Sequence, residues 1–180
     1  MIAALALAAA GSTSPAAAKF TLASKDVHAG AKIADKHVFD AFGCTGANVS
    51  PDLEWSGAPA GAKSFVVTVY DPDAPTGSGW WHWVVANIPA STNGLAEGAG
   101  GKDGSLPAGA IQTRTDFGAP GYGGPCPPPG KAHRYVFTVH ALKTDKIDVT
   151  ADSSAALVGF MTHFAEIGRA SFTALYGRAK

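Results

Sequence analysis

Residues 65–88 read FVVTVY-DPDAPTGSG-WWHWVVANI, the pattern of two strands joined by a stiff acidic turn. The flanking runs are β-branched and aromatic, as is typical of a pleated, half-buried surface. The turn contains two prolines, and each of them fixes a φ angle and removes an N–H donor. It therefore brings Asp71, Asp73 and His82 to one edge of the predicted sheet. A turn this stiff can hold a polar cluster in one geometry, which a binding or catalytic site requires.

A second passage from loop to strand has matching character. Residues 121–130 read GYGGPCPPPG, which cannot form a regular element, and residues 133–142 read HRYVFTVHAL. The period of two in a strand places His133, Tyr135 and Phe137 on one face. The polar pair His133 and Tyr135 therefore begins a strand face that continues with apolar side chains.

Composition sets limits on the fold and on the partners. The chain of 180 residues suits one domain with a sizeable core. Its 14 Lys and Arg balance 14 Asp and Glu, so no broad electrostatic attraction to nucleic acid is expected. The 22 glycines and 12 prolines separate many short strands, which predicts a mainly β, antiparallel sandwich.

The first residues have the pattern of an export signal. Residues 2–10 form a short apolar run, and an Ala-x-Ala cleavage pattern precedes Lys19. The run is too short to span a bilayer, and no other stretch is long enough for a transmembrane helix. A basic n-region is missing from this signal, as expected if the true start lies further upstream, and a disordered, alanine-rich tail is the alternative interpretation. We therefore predict a signal peptide over residues 1–18, one domain over residues 19–180, and a periplasmic or secreted protein.

Together the two passages resemble the phosphatidylethanolamine-binding protein family, in its bacterial Raf-kinase-inhibitor-like branch. The family's acidic box corresponds to Asp71–Pro75 and its tryptophan-to-histidine strand to Trp80–His82. The second box runs from Gly124-Pro125 to His133-Arg134-Tyr135, and Asn48–Pro51 and Asp116–Gly118 also fit the bacterial branch. The resemblance extends from about Phe20 to Arg178.

The resemblance implies a phosphatidylethanolamine-binding-protein-like β-sandwich with a C-terminal helix and a final strand. It implies non-catalytic binding of a small anionic ligand: phosphate, phosphoethanolamine or a phospholipid head group. The implied ligand-binding residues are Asp71, Asp73, Pro75, Trp80, His82, Gly124, Pro125, His133 and Tyr135. The bacterial branch also suggests a homodimer, whereas no sequence feature names another protein partner, and no cofactor is expected.

Physical chemistry supports anion binding by these residues. A carboxylate near a histidine favours the imidazolium form, whereas burial disfavours it. If the attraction prevails, His82 and His133 can donate charge-assisted hydrogen bonds to phosphoryl oxygens, together with a phenol and loop N–H groups. A polar network that only ties two loops together is the alternative interpretation of the cluster.

Two other classes of function compete with simple binding. A metal-dependent hydrolase could use two histidines and two aspartates, and a phosphatase could use a histidine as nucleophile. No helical His-x-x-x-His spacing and no nucleophile–base pair is visible, so we expect no enzyme activity. A regulatory inhibitor of a kinase or protease is the other alternative, although an exported protein would not meet a cytosolic kinase.

The two cysteines lie in the loops that adjoin the two boxes. An even count in an exported protein favours a disulfide between Cys44 and Cys126, and two buried thiols are the alternative. His28 and His37 have no partners in sequence and are expected at the surface.

The C-terminal segment changes period. Thr150 or Asp152 can cap a helix in which Leu157, Phe160, Met161 and Phe164 recur at helical spacing. We expect this stripe to face the core. A final strand is predicted after Gly168, because apolar and polar residues alternate over residues 170–176.

Overall fold

The computed structural model describes residues 18–179, so the expected signal peptide lies outside the described residues except for Ala18. The strands are β1 (Thr21–Ala23), β2 (Leu53–Ser56), β3 (Ser64–Asp71), β4 (Trp80–Pro89), β5 (Gly94–Leu95), β6 (Ile111–Gln112), β7 (His133–Leu142) and β8 (Glu166–Tyr176). One α-helix, α1 (Ala155–Ala165), precedes β8. The two long strands predicted around the acidic turn and the strand at residues 133–142 are confirmed.

The strands form two antiparallel sheets. A five-stranded sheet has the order β6-β4-β3-β7-β8, and a smaller sheet has the order β1-β2-β5. Residues of β3 that alternate along the strand, such as Phe65, Val67 and Val69, pack in one buried cluster with Leu53 and Trp55 of the small sheet. The predicted mainly β fold with antiparallel sheets is therefore confirmed.

Helix α1 packs on the opposite face of the large sheet, and it does so with small side chains. Ala155, Val158 and Ala165 are buried in a second cluster with residues of β3, β4 and β7. The predicted core stripe is wrong for its large residues, because Phe160 is 61% exposed and Phe164 is 62% exposed. Leu157 is exposed as well, and only Met161 of the stripe packs partly against this cluster.

The two ends of α1 explain why the face with small side chains, and not the face with large ones, meets the sheet. Ser154, and neither of the two residues predicted, caps the helix by accepting a hydrogen bond from the Leu157 N–H. At the other end β8 begins directly at Glu166, which pairs with Leu142 of β7. Because no loop separates α1 from β8, the pairing of β8 fixes which helical face meets the sheet.

Two further features differ from the expectations. His37 is buried, and its Nδ1 donates a hydrogen bond to the carbonyl of Val49 at 2.7 Å, so the surface position predicted for it is wrong. Within residues 18–179, no helix is long and apolar enough to cross a membrane.

A candidate ligand site at the end of the central strand

The topology of the large sheet brings the two sequence boxes together. Strand β3 is central and antiparallel to both neighbours, so its last residue lies beside the first residues of β4 and β7. Asp71 pairs with Trp80 in the register of β3 with β4. The acidic turn follows β3, and the glycine- and proline-rich loop leads into β7. The two passages therefore lie side by side at one edge of the large sheet.

A cavity of about 180 Å³ opens at this edge. Six of the residues predicted to bind ligand line it: Asp71, Pro75, Trp80, His82, His133 and Tyr135. The other three, which are Asp73, Gly124 and Pro125, are not among its lining residues. The polar groups gather where the three strands meet, and the remaining wall is largely apolar.

Asp71 and His133 form a hydrogen-bonded pair at the base of the cavity. The His133 Nδ1 donates to Oδ2 of Asp71 at 2.7 Å, and the N–H of Asp73 donates to Oδ1 at 2.8 Å. Asp71 is only 3% exposed. A buried carboxylate with both oxygens bonded fixes the orientation of the imidazole. The Nε2 of His133 makes no hydrogen bond within the described chain and is not sealed from solvent.

The ring of His82 is neutral near pH 7, whereas the protonated ring would favour an anion. Its Nδ1 donates to the carbonyl of Gly123 at 2.6 Å, so that nitrogen carries a proton. Burial, which outweighs the bond to Gly123 and the nearby Asp71, lowers the pKa of His82 to about 4. At His82 the cost of burial therefore prevails over carboxylate attraction. Near neutrality its Nε2 is a hydrogen-bond acceptor, not a donor.

Tyr135 supplies a hydroxyl that stays protonated. The residue is 1% exposed, and its ring lies edge-on to that of His82 with centroids 5.1 Å apart. Burial, aided by the charge of Asp71, raises the pKa of the phenol. Its hydroxyl has no hydrogen-bond partner among residues 18–179 and can donate to a ligand.

Asp73 fastens the acidic turn to β7. Its carboxylate accepts from Nε and from one terminal nitrogen of Arg134, at 2.9 and 2.8 Å, and also from the Arg134 N–H. This bidentate pair lowers the pKa of Asp73 to about 2. The residue therefore supports the site from outside the cavity.

The backbone donors expected near Gly124 are already occupied. The Gly124 N–H donates to Oδ1 of Asn48 at 2.8 Å, and the Gly123 N–H donates to the His82 carbonyl at 2.9 Å. Proline at 125 has no N–H to offer. A side chain at position 124 would collide with the backbone at His37 and Val38, so only glycine allows this close approach. These two residues position the loop instead of contacting the cavity.

Sequence reasoning missed much of the cavity wall. The additional lining residues are Phe42, Ala74, Thr76, Phe117, Cys126, Pro127 and Pro128. The Phe117 ring lies edge-on to both Trp80 and His82, with centroids 5.4 Å away from each. Asp116 holds that loop by accepting the N–H of Trp81 at 2.7 Å. The Asp116–Gly118 triplet, which fits the bacterial branch, was the available signal for this wall.

The cysteines are bonded as predicted, and their bridge borders the cavity. The Cα atoms of Cys44 and Cys126 are 6.0 Å apart, within the ordinary range for a disulfide. The bridge joins the loop that carries Phe42 to the proline-rich loop. Both loops contribute lining residues, so the disulfide helps to define the outer rim.

The sequence model of the family described as phosphatidylethanolamine-binding protein matches residues 23–177. The chain belongs to this family. Among bacterial members it is 55% identical over 155 residues to YbhB of Escherichia coli, a match that covers 86% of this chain and 98% of YbhB. It is 56% identical over 162 residues to YbcL of the same species, covering 89% of this chain and 88% of YbcL.

Structural comparison agrees with this assignment. The crystal structure of Escherichia coli YbcL, described as a new member of the mammalian family, superimposes with a TM-score of 0.87. That match covers 89% of this chain and 99% of the YbcL chain, at 55% identity. A more distant relative is a Mycobacterium tuberculosis protein named as lipoprotein LppC. It is 42% identical over 129 residues, which make up 71% of this chain and 58% of LppC.

Proposed function

We propose that the cavity at the end of β3 binds a phosphoryl ligand that also carries a hydrogen-bond donor. Phosphoethanolamine and the head group of phosphatidylethanolamine have this chemistry. The observation that supports it most is the Asp71–His133 pair, whose Nε2 has no partner among residues 18–179 and which lines the same cavity as Tyr135. Membership of the family supports a binding function in general.

Each polar group has a distinct role in the proposed complex. His133 is held between two anionic groups, donating from Nδ1 to Asp71 and from Nε2 to a phosphoryl oxygen of the ligand. Tyr135 donates to a second oxygen. His82, neutral at Nε2, accepts from the ligand's ammonium or from a protonated phosphate oxygen. A ligand with an anionic end and a donor end therefore fits better than a fully ionised phosphate.

Titration calorimetry with phosphoethanolamine tests the assignment. His133→Ala removes a charge-assisted hydrogen bond, which costs on the order of 1.5–3 kcal/mol, so affinity should fall about ten- to a hundredfold. Asp71→Asn should also weaken binding, because the imidazolium loses its counter-charge. Tighter binding by Asp71→Asn would refute the pairing mechanism, and unchanged binding by His133→Ala would refute the site.

Asp73→Asn is the matched control for these variants. It is the same substitution two residues along the chain, at a side chain that pairs with Arg134 outside the cavity. Affinity should stay within about threefold of wild type, because asparagine keeps a side-chain oxygen that can accept the Arg134 N–H and so still fastens the turn. A large loss with Asp73→Asn alone would mean that the ligand contacts the acidic turn from outside.

We further propose that the site performs no chemistry on its ligand. Thr76 lines the cavity, but its hydroxyl donates to the Gly79 carbonyl, not to a histidine. Purified protein, with or without divalent metals, should therefore show no hydrolysis of phosphate esters, carboxylic esters or peptides. Turnover that His82→Ala or His133→Ala abolishes would favour the hydrolase alternative instead.

We also propose that the protein acts outside the cytoplasm. The disulfide supports this location, because such bonds persist in oxidising compartments. The lipoprotein name of the LppC relative points the same way. The homodimer suggested by the bacterial branch stays a prediction.

A further inference from the structure

A second cavity of about 270 Å³ lies on the other face of the large sheet, between the sheet and α1. Thr68 of β3 and His140 of β7 border it, and they alternate with residues whose side chains enter the core between the sheets. Trp81 of β4 and Gly159 of α1 provide apolar walls. Nothing in the proposed binding of phosphoethanolamine uses this space.

One carboxylate organises the polar side of this second cavity. Glu166 accepts from Nδ1 of His140 at 2.5 Å and from Nε of Arg169 at 2.7 Å. Because its two oxygens are each bonded, the pKa of Glu166 is lowered despite its burial. Each oxygen of the carboxylate is therefore already engaged, and the charge of Arg169 balances it, which makes it a weak partner for a cationic ligand.

The unused donors belong to Arg169. Its Nε is bonded to Glu166, whereas its two terminal nitrogens make no hydrogen bond with residues 18–179. A guanidinium presents these nitrogens as a planar fork that matches a carboxylate. Glu166 holds the fork at the cavity edge. The negative charge of Glu166, which lies next to Arg169, also disfavours binding of a dianion there.

Gly159 leaves the cavity open on the side that α1 forms. A Cβ built on this residue meets no atom within 4 Å, so packing does not require glycine there. Its φ is not positive, and glycine is less favourable than alanine in a helix interior. An alanine at position 159 would therefore favour the helix without a clash, but its side chain would project into this open space.

We propose that this second cavity binds a small organic monocarboxylate. Its carboxylate pairs with the terminal nitrogens of Arg169, and its carbon chain lies between Trp81 and Gly159. The site is separate from the phosphoryl site in both position and chemistry, so either proposal can fail without the other.

The test is an amide NMR titration of the disulfide-bonded protein with sodium propionate, at ionic strength matched with sodium chloride. Saturating shifts are expected at Gly159, Thr162 and Arg169, with a dissociation constant on the order of millimolar for so small a ligand. Shifts that grow linearly, or that occur only around the phosphoryl site, would overturn the proposal. Ethylammonium chloride should give no saturating shifts, and saturation by it would overturn the carboxylate assignment.

Three variants separate binding from a structural role of the cluster. Arg169→Gln should weaken propionate binding at least tenfold. The affinity of Arg169→Lys should lie between those of wild type and Arg169→Gln, because lysine keeps the charge but loses the planar fork. Gly159→Met should abolish binding by filling the cavity while favouring the helix. If the methionine variant fails to fold, Arg169→Gln still decides, since this arginine is largely exposed. Unchanged affinity in Arg169→Gln would mean that the cluster only secures the junction of α1 with β8.

Discussion

Removal of the Cys44–Cys126 bond should lower the free energy of unfolding by about 4–5 kcal/mol. The bond closes a loop between residues 82 positions apart, and the chain-entropy relation gives roughly this value for such a loop. The native contacts on either side remain, because the Phe39 N–H still donates to the Pro125 carbonyl at 3.1 Å. The reduced protein should therefore still fold, with lower stability and a looser rim around the phosphoryl site.

Urea unfolding of wild type and of the Cys44→Ala/Cys126→Ala variant measures this effect. Adding reductant should shift the wild type toward the variant and leave the variant itself unchanged, which controls for effects of the reductant. Phosphoethanolamine affinity should fall in parallel, since Phe42 and Cys126 line the cavity. The prediction would be contradicted if alkylation detected two free thiols in wild type purified without reductant. Equal stability of wild type and the double-alanine variant would contradict it as well.

Residue composition and alternation predicted the long strands well, because β-branched and aromatic residues fill the buried positions of the large sheet. In β3 nearly every residue is buried, because the small sheet covers one face and α1 covers the other, so alternation there decides which of two clusters a residue joins. Antiparallel pairing then places the strand ends together. That logic predicted that Asp71 and His82 lie at one edge of the sheet, whereas the meeting with His133 and Tyr135 was implied by the family resemblance. The same logic could not place Asp73, whose orientation depends on Arg134 standing at the start of β7.

Helix α1 shows where periodicity becomes ambiguous. The helix has an apolar stripe of small residues and another of large ones, and hydrophobicity alone favours the large stripe. The sheet instead accepts Ala155, Val158 and Ala165, and Phe160 and Phe164 face outward. Which stripe is buried depends on the direct junction with β8, a property of the tertiary structure that no local pattern contains.

The cavity-lining residues that lie in loops were the hardest part of the site to predict. Phe42 and Phe117 reach the cavity from loops far apart in sequence, where no period relates a residue to its neighbours. Likewise, His37 can be buried at little cost because its Nδ1 donates to the Val49 carbonyl, a contact that composition does not reveal. The electrostatic state of His82 also depends on such tertiary burial.

Acidification should destabilise the wild type through His82 by about 3 kcal/mol. The folded-state pKa is about 4, against 6.5 for the unperturbed side chain, and burial is the main cause. Between these values the unfolded chain binds more protons than the folded one, so stability rises with pH across this interval. The full contribution is present above pH 6.5 and is lost as the pH falls toward 4. A difference of about 2.5 pKa units corresponds to roughly 3 kcal/mol.

His82→Asn tests this prediction through the slope of stability against pH. An asparagine amide can still donate to the Gly123 carbonyl but does not titrate, so the variant should lose the His82 part of the decline. Urea unfolding at intervals from pH 7.5 to 4 gives both slopes, and carboxylates such as Glu166 contribute to both proteins alike. His163→Asn, at an exposed histidine, should keep the wild-type slope. If wild type and His82→Asn decline in parallel, His82 is protonated in the folded protein near its ordinary pKa, and the acceptor role proposed for its Nε2 fails with it.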